Sequence, residues 1–185
     1  MNSLQGLSPA LIIIVGALAV PLLRGQLRNI YMLALPVIAF VALLSTPDGD
    51  HVTLQYLGLE LVTIRIDNWS RIFSYIFLLA TAMSIVYAWH IRDWVQQIAG
   101  LVYAGGAVGA VLAGDFVTLF VYWAVTAVSS VFLVWATRTE ASYRSGMLYV
   151  TVPSISGFLP LTGALVRYSH SGSMRIDHFG LLGVG

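Results

Sequence analysis

Long apolar runs separated by short polar segments dominate the chain. A helix needs about 20 mostly apolar residues to cross a hydrocarbon core of roughly 30 Å. Six runs approach that length and predict transmembrane helices at residues 8–24, 29–46, 69–91, 95–113, 115–136 and 143–168. We interpret residues 1–185 as a single membrane domain. It divides into leading helices and a hairpin (1–91), three further helices (92–168) and a tail (169–185), whose apolar residues 179–185 could begin a seventh helix.

The segment between the second and third runs has a different periodicity. Apolar residues alternate with more polar ones on either side of Gly58: Val52, Leu54, Tyr56, Val62, Ile64 and Ile66. Two such runs around a glycine predict a β-hairpin. Because an isolated hairpin is only marginally stable in water, we expect it to pack on a neighbour. The expected fold is an all-α membrane protein of about six transmembrane helices, with one extracytoplasmic β-hairpin between helices two and three.

The distribution of arginine predicts the orientation of these helices. Loops after the first, third and fifth runs carry Arg24, Arg28, Arg92, Arg138 and Arg144, whereas the hairpin region is acidic. Cytoplasmic loops carry the excess of positive charge. We therefore expect a multi-pass protein of the inner, cytoplasmic membrane, with its amino terminus, hairpin and tail on the extracytoplasmic side. The first run has no positive charge before it, so we interpret it as a retained helix and not as a signal peptide.

Composition excludes several classes of function. Only 9% of residues are charged and 58% are hydrophobic, against roughly 25% charged in soluble domains. A soluble enzyme is therefore excluded. A net charge of +1 without a basic run argues against nucleic-acid binding. The chain has no Cys, and its four His show no metal-ligand spacing. We predict no catalytic, metal or cofactor residue, and no enzymatic activity of the chain on its own.

Small residues cluster in the predicted fourth helix, where Gly105 and Gly109 form a GxxxG pattern. Lipid provides no hydrophobic drive between helices, so close backbone contact must hold them together. The pattern indicates ordinary helix packing, and it is also compatible with a docking face for another subunit. Prolines occur within the predicted first, second and sixth helices, where we expect structural kinks.

Ionisable residues are almost missing from the apolar runs, and Asp115 is the clearest exception. A carboxylate at that position can cap the fifth helix, or it can lie at the mouth of a proton or cation path. A polar stripe continues from it at helical spacing: Asp115, Thr118, Tyr122, Thr126, Ser129 and Ser130. Such a stripe faces protein instead of lipid. It could hold a file of water or hydrogen-bond to a neighbouring helix, and both interpretations stay open.

The fifth helix also carries a resemblance to a known family. The segments AGDFVTLFVYWA (113–124) with Ser129-Ser130, IDNWSRIF (66–73) and YRSGMLY (143–149) resemble antiporter-like membrane subunits. These are the A-type and D-type subunits of Mrp-type Na+/H+ antiporters, of which the D type is the more similar, and the related proton-pumping subunits of respiratory complex I. The match covers most of this chain but less than half of a usual family member.

The resemblance implies a proton path in which a Glu on the fifth helix pairs with a Lys on a broken seventh helix. Neighbouring charges shift each other's pKa, so a moving proton changes their balance. In this sequence the position of the Glu is Ala124, nine residues after Asp115, or roughly 13 Å along a helix. That depth is close to mid-membrane. There is no Lys anywhere in the chain.

Three hypotheses follow from these observations. The leading one is a truncated antiporter-like subunit of a larger proton- or cation-translocating complex, structural or supplying part of an ion path. Other membrane subunits would be its partners, including a chain that supplies the missing carboxy-terminal helices. The second hypothesis is an active half of a split antiporter or redox-driven pump, in which Asp115 carries protons and a partner supplies the Lys. The third is a membrane anchor for a soluble enzyme.

Overall fold

The computed structural model of the chain describes residues 8–56, 59–91, 93–136, 139–171 and 175–176. Its elements are α1 (Pro9–Ala17), α2 (Gln26–Ser45), β1 (Gly49–Tyr56), β2 (Leu59–Ile66), α3 (Asn68–Tyr87), α4 (Trp94–Val111), α5 (Phe116–Trp135) and α6 (Glu140–Ser171). The predicted mostly helical fold and the hairpin between the second and third helices are confirmed. The possible start of a seventh helix at 179–185 lies outside the described residues.

Four helical segments within the described residues are long and apolar enough to span a membrane. They are Gln26–Ser45, Asn68–His90, Phe116–Trp135 and Gly146–Val166. The described part of α1 has nine residues, or roughly 14 Å of helix, and α4 carries Gln96, Gln97 and several glycines that lower its hydropathy. The multi-pass membrane class is therefore supported, while the count of six spans stays a prediction.

The first helix is shorter than the apolar run that predicts it. Pro21 has no N–H to donate to the carbonyl of Ala17, and its ring clashes with a carbonyl four residues earlier. The chain responds by tightening, because Leu18 N donates to Val15 O and Ala19 N to Gly16 O, each at 3.1 Å. A 3₁₀ turn at Val20–Leu22 follows. By contrast, Pro36 lies inside an unbroken α2, and α6 continues through both of its prolines.

The helices pack in chain order around α4. Helix α1 contacts α2 and α4, α2 contacts α3, and α3 contacts α4, so that these four helices close on one another. Helix α5 packs on α4, and α6 packs on α5. The buried cluster contains residues of α1, α2, β2, α3 and α4, with Ile13, Leu43, Leu78 and Val108 among its most buried members. The core of the chain therefore lies among the leading four helices.

The hairpin packs on the bundle, as we expected. Strands β1 and β2 are antiparallel, with Gly49 opposite Ile66 and Tyr56 opposite Leu59. Alternate residues of β2 are buried, namely Val62, Ile64 and Ile66. The other edge of β2 pairs with the connection between α4 and α5: Arg65 N donates to Leu112 O at 2.8 Å, and Gly114 N donates to Val62 O at 3.0 Å.

The helices alternate in direction, so their connections lie at two ends, and the sequence segments that hold these connections differ in charge. The hairpin end comprises residues 46–71, 112–115 and 175–176, with three Arg and five acidic residues, or 3 − 5 = −2. The connections at the other end, called the basic end, belong to the sequence segments 18–28, 88–93 and 136–144, which contain five Arg and two acidic residues, a net +3 by sequence. At the basic end, Asn29 Nδ2 of α2 donates to Trp89 O after α3, at 3.0 Å.

Candidate ion path along helix α5

Asp115 caps the amino terminus of α5. Its Oδ1 accepts a hydrogen bond from the backbone N–H of Thr118 at 2.7 Å, and its Oδ2 accepts one from the Thr118 hydroxyl, also at 2.7 Å. The Asp115 side chain is fully buried, and Thr118 is nearly so. The cap satisfies one of the unpaired donors of the first turn, and the negative charge complements the helix dipole. Both carboxylate oxygens therefore already have a partner.

Three chain segments enclose this carboxylate. Gly114 is held on one side by Val62 of β2, and on the other side its carbonyl accepts from Ile176 N at 2.9 Å. The backbones of Asp115 and Arg175 form an antiparallel bridge next to this bond. A Cβ at Gly114 would lie 2.6 Å from Val62 Cγ1 and 2.8 Å from Val62 O, so the close approach requires glycine.

Ion pairs surround the enclosed junction at the hairpin end. Arg175 and Asp50 approach to 2.5 Å, and Arg71 and Asp48 also approach to 2.5 Å. The Arg71 guanidinium donates in addition to the carbonyls of Leu43 and Thr46, at 3.2 and 2.8 Å. One side chain therefore holds together the end of α2, the connection from α2 to β1 and the start of α3. Arg65 donates to the carbonyl of Ile176, which joins the hairpin to the tail.

Three further hydroxyls of the polar stripe bond to their own helix. The donors Thr126, Ser129 and Ser130 reach the carbonyls of Trp123, Val125 and Ala127, each at 2.7 Å. Serine and threonine in helices commonly bond back to a carbonyl three or four residues earlier. These hydroxyl protons are therefore already donated within the helix. Only the oxygen lone pairs remain to accept hydrogen bonds from water or from another chain.

The same stripe faces the glycines of α4. A Cβ at Gly106 would lie 2.8 Å from Thr126 Cγ2, and one at Gly109 would overlap the ring of Tyr122. Gly105 faces the opposite neighbour, since its Cβ would lie 2.7 Å from Ile14 Cγ1 of α1. The two glycines of the GxxxG pattern therefore contact different helices of this chain, because α4 lies between α1 and α5. The glycines allow both neighbours to approach the α4 backbone.

Ala124 lies near the middle of α5 and away from the polar stripe. An α-helix turns about 100° per residue, so Ala124 is rotated by about 200° from both Tyr122 and Thr126. Tyr122 and Thr126 face α4, whereas Phe120 and Trp123 lie against Gly157 of α6. Ala124 is half-buried. The polar stripe therefore lies on one face of the helix. Ala124, the position that the resemblance gives to the family's acid, lies on another.

Sequence reasoning did not identify several polar contacts that shape this site. The partners of Arg71 and Arg175 were not predicted, and neither was the pairing of residues 175–176 with the α4–α5 connection. Arg175 and Asp50 are 125 positions apart in the chain. The only available signal was charge, since an acidic loop requires cations nearby, and charge alone does not select the partner.

Comparison with known proteins tests the resemblance independently. No protein-family model matches the sequence. The chain is 23% identical over 180 residues to the A1 subunit of a Na(+)/H(+) antiporter of Staphylococcus haemolyticus, an alignment that covers 88% of this chain. It is 26% identical over 130 residues to the A/B subunit of a probable K(+)/H(+) antiporter of Rhizobium meliloti, covering 65% of this chain. The chain is thus similar to antiporter subunits, and the predicted resemblance is confirmed at that level. The preference for the D type stays a prediction.

The fold of this antiporter-like chain also matches a solved structure. A chain of the membrane-bound sulfane sulfur reductase, an archaeal respiratory membrane complex, superposes with a TM-score of 0.76 at 20% identity over 91% of this chain. At that identity the match shows a shared fold. The antiporter-like chain spans 22% and 13% of the two antiporter subunits and 28% of the reductase chain.

Proposed function

We propose that this chain is a membrane subunit of a multi-subunit cation- or proton-translocating complex, in which it provides helical framework and part of the surroundings of an ion path. The observation that carries the proposal is Ala124, which occupies the position that the resemblance gives to the family's Glu. A methyl group neither binds nor releases a proton. Helix α5 therefore lacks the carboxylate that the resemblance places near mid-membrane depth.

The composition of the packed helices supports a framework role. The segments Trp94–Val111 and Phe116–Trp135 contain no Asp, Glu, Lys, Arg or His. Ionisable residues inside a membrane are costly and usually mark the path of an ion. Two neighbouring helices without any of them are suited to packing. The hydrogen bonds of Thr126, Ser129 and Ser130 to carbonyls of their own helix support the same role, because those donors are already occupied.

The proposal includes partners within the membrane. The chain has no Lys, so the lysine of the family's charged pair would come from residues outside this sequence, on the same polypeptide or on a neighbouring subunit. The relatives named above are antiporter subunits by name, which supports other membrane subunits as partners of this chain.

Reconstitution in liposomes tests this proposal. The purified 185-residue chain is inserted into liposomes that contain a pH-sensitive dye, and a proton or sodium gradient is imposed. We expect dye responses equal to those of protein-free liposomes, because α5 contains no Asp, Glu, Lys, Arg or His. A gradient-dependent response of the isolated chain that an uncoupler abolishes would overturn the proposal.

A second candidate function gives Asp115 a direct role in proton transfer, with a partner chain supplying the Lys. The observation that favours it is a fully buried carboxylate at the start of a polar stripe. Asp115→Asn removes the charge but keeps an oxygen to cap Thr118, so the complex should still assemble. Reduced transport by the assembled variant complex supports this function, and unchanged transport contradicts it.

The charge of the two ends supports an orientation. The basic end carries a net +3 and the hairpin end a net −2 in the segments defined above. Cytoplasmic segments carry the positive excess, so the proposed orientation places the basic end in the cytoplasm and the hairpin and amino terminus outside. Since the chain has no Cys, Thr53→Cys and Glu140→Cys provide single labelling sites. A membrane-impermeant thiol reagent added to intact cells should label only the cysteine at position 53, and labelling of only position 140 contradicts the orientation.

A further inference from the structure

The two sides of the Gly114–Asp115 junction differ in how firmly they are packed. On one side lies β2, whose Val62 is 1% exposed and would stand 2.6 Å from a Cβ at Gly114. Other apolar side chains of β2 belong to the buried core of the chain. On the other side lie Arg175 and Ile176, which are both half-buried. The side formed by residues 175–176 is therefore the more easily displaced of the two.

Hydrogen bonds hold residues 175–176 to the junction. Ile176 N donates to Gly114 O at 2.9 Å, and the backbones of Arg175 and Asp115 form an antiparallel bridge. The Ile176 carbonyl accepts from the Arg65 guanidinium. Each such bond replaces a bond to water and therefore contributes little net stability. Because water can take over these bonds, the two residues can leave the junction at a small cost in free energy.

An ion pair adds a contact whose strength depends on the solution. Arg175 and Asp50 approach to 2.5 Å, and their side chains are 35% and 31% exposed. Partly exposed pairs are weak, and salt screens them. Segments with few buried apolar contacts open locally, at a free energy well below that of global unfolding. We therefore expect residues 175–176 to open before β2 does, and to open more often at high salt.

A cavity of about 350 Å³, the hairpin-end cavity, lies next to these residues. Its lining includes two charged residues, two residues that flank Asp115 in the chain and one member of the pair 175–176: Arg65, Asp67, Ala113, Leu119 and Ile176. A cavity of this volume with charged walls is polar and large enough to hold water. Asp115 is fully buried and is not part of the lining. Ile176 therefore links the two, since it lines the cavity and is bonded to the residue before Asp115.

We propose that residues 175–176 are a removable cover over Asp115. When they leave the segment 112–115, water from the hairpin-end cavity reaches the Asp115 carboxylate, while β2 stays in place on the other side. The cover goes beyond the framework function proposed above, because it determines when a buried carboxylate meets water. It does not depend on whether Asp115 transfers protons.

A single thiol next to the carboxylate measures this access, since the chain has no Cys. Thr118→Cys lies at a nearly fully buried position and keeps the backbone N–H that donates to Asp115 Oδ1. The probe is iodoacetamide, which is small and uncharged. Its rate of alkylation is followed by mass spectrometry on the full chain in nanodiscs. Ser129→Cys is the control, because that position of α5 is similarly buried and becomes reactive only when the helices separate.

Two substitutions loosen the cover to different extents. Ile176→Pro removes the N–H that bonds to Gly114 but keeps the carbonyl, and proline favours the extended conformation that a β-bridge requires of Arg175. We expect it to raise the alkylation of Thr118→Cys about tenfold. Arg175→Gln removes the charge of the ion pair and should raise this rate about two- to fivefold. Added salt should raise the rate when Arg175 is present and change it little in Arg175→Gln. Alkylation of Ser129→Cys should stay constant throughout.

Several outcomes would overturn the cover. One is alkylation of Thr118→Cys that neither substitution raises, and another is alkylation as fast as that of the exposed Thr53→Cys in the otherwise unmodified chain. A parallel rise at position 129 would also overturn it, because the whole bundle would then be opening. Should Thr118→Cys not fold, hydrogen exchange of the Thr118 amide is compared between the unmodified chain and Ile176→Pro, and equal exchange overturns the cover. These measurements read solvent access and not transport, so failure of the cover is distinguished from failure of the framework function.

Discussion

The two ends of this molecule differ in how fully their buried polar groups are hydrogen-bonded within the chain. At the hairpin end, Asp115 uses both carboxylate oxygens, and the backbones of β2, the α4–α5 connection and Ile176 are hydrogen-bonded to one another. At the basic end, Asn29 and Gln97 each donate to a carbonyl between α3 and α4, and each leaves a buried oxygen without a partner. At the hairpin end the chain supplies the partners of these polar groups, whereas at the basic end two buried acceptors have no partner among the described residues.

This difference shows at which end the buried polar groups find their hydrogen-bond partners within the chain. Unpaired buried acceptors are costly, and an end that retains them is an end where water or a ligand supplies the donors. The hairpin end has few such groups among the described residues because three segments distant in sequence converge there. Substitutions at the hairpin end should therefore cost stability, whereas those at the basic end should cost less.

The largest effect is expected for Gly114→Ala. The new Cβ would lie 2.8 Å from the carbonyl oxygen of Val62, so the hairpin must move and lose its bonds to the α4–α5 connection. Because the clash is with backbone, the cost should lie near the upper end of the usual range for overpacking, about 3 kcal/mol. The melting temperature in detergent and the hydrogen exchange of the Arg65 amide measure the loss. Gly163→Ala is the matched control, since its Cβ has open space. An equal effect of the two changes would contradict the close packing at Gly114.

A smaller effect is expected at the cap of α5. Asp115→Ala removes the acceptor of the Thr118 N–H and leaves that donor buried, which should cost about 2 kcal/mol. Asp115→Asn keeps an acceptor and should lose much less. Thermal unfolding of the two variants in the same detergent measures the difference. A loss for Asn as large as for Ala would indicate that the carboxylate charge matters more than the cap.

At the basic end, Asn29→Leu should cost about 1 kcal/mol or less, because two effects partly cancel. The change leaves the Trp89 carbonyl without its donor, but it also removes the unpartnered Asn29 Oδ1. Removing an unsatisfied group offsets part of the lost hydrogen bond. The same unfolding measurement applies, with Asp115→Ala as the reference. If Asn29→Leu were the more destabilising of the two, the contrast between the ends would be wrong.

The smallest effect is expected for the ion pair between Asp50 and Arg175. Both side chains are about one-third exposed, and partly exposed pairs contribute roughly 0.2–1 kcal/mol. A double-mutant cycle with Asp50→Asn and Arg175→Gln measures the coupling, which should shrink as salt is raised. A coupling that does not change with salt would indicate a pair shielded from solvent.

The predicted helices agree with the observed ones where a long apolar run decides the outcome. The run 29–46 corresponds to Gln26–Ser45, and the run 115–136 to Phe116–Trp135. Agreement is poorer where a local backbone effect intervenes. Pro21 is an example, because α1 ends at Ala17, seven residues before the predicted end at residue 24. Asp115 caps α5, which is one of the two roles that the sequence leaves open for it. The role of the stripe in ion movement stays a prediction.

The sequence by itself determined the membrane class, the hairpin, the segregation of charge and the family resemblance. These properties depend on residues near one another in the chain, through the length of apolar runs, period-2 alternation and the placement of Arg. Only the tertiary structure decided that Gly105 and Gly109 contact different helices, that Arg175 pairs with Asp50, and that Gln97 lines a cavity between α3 and α4. Such contacts join distant segments, and their geometry follows from how the described helices pack together, which no local pattern specifies.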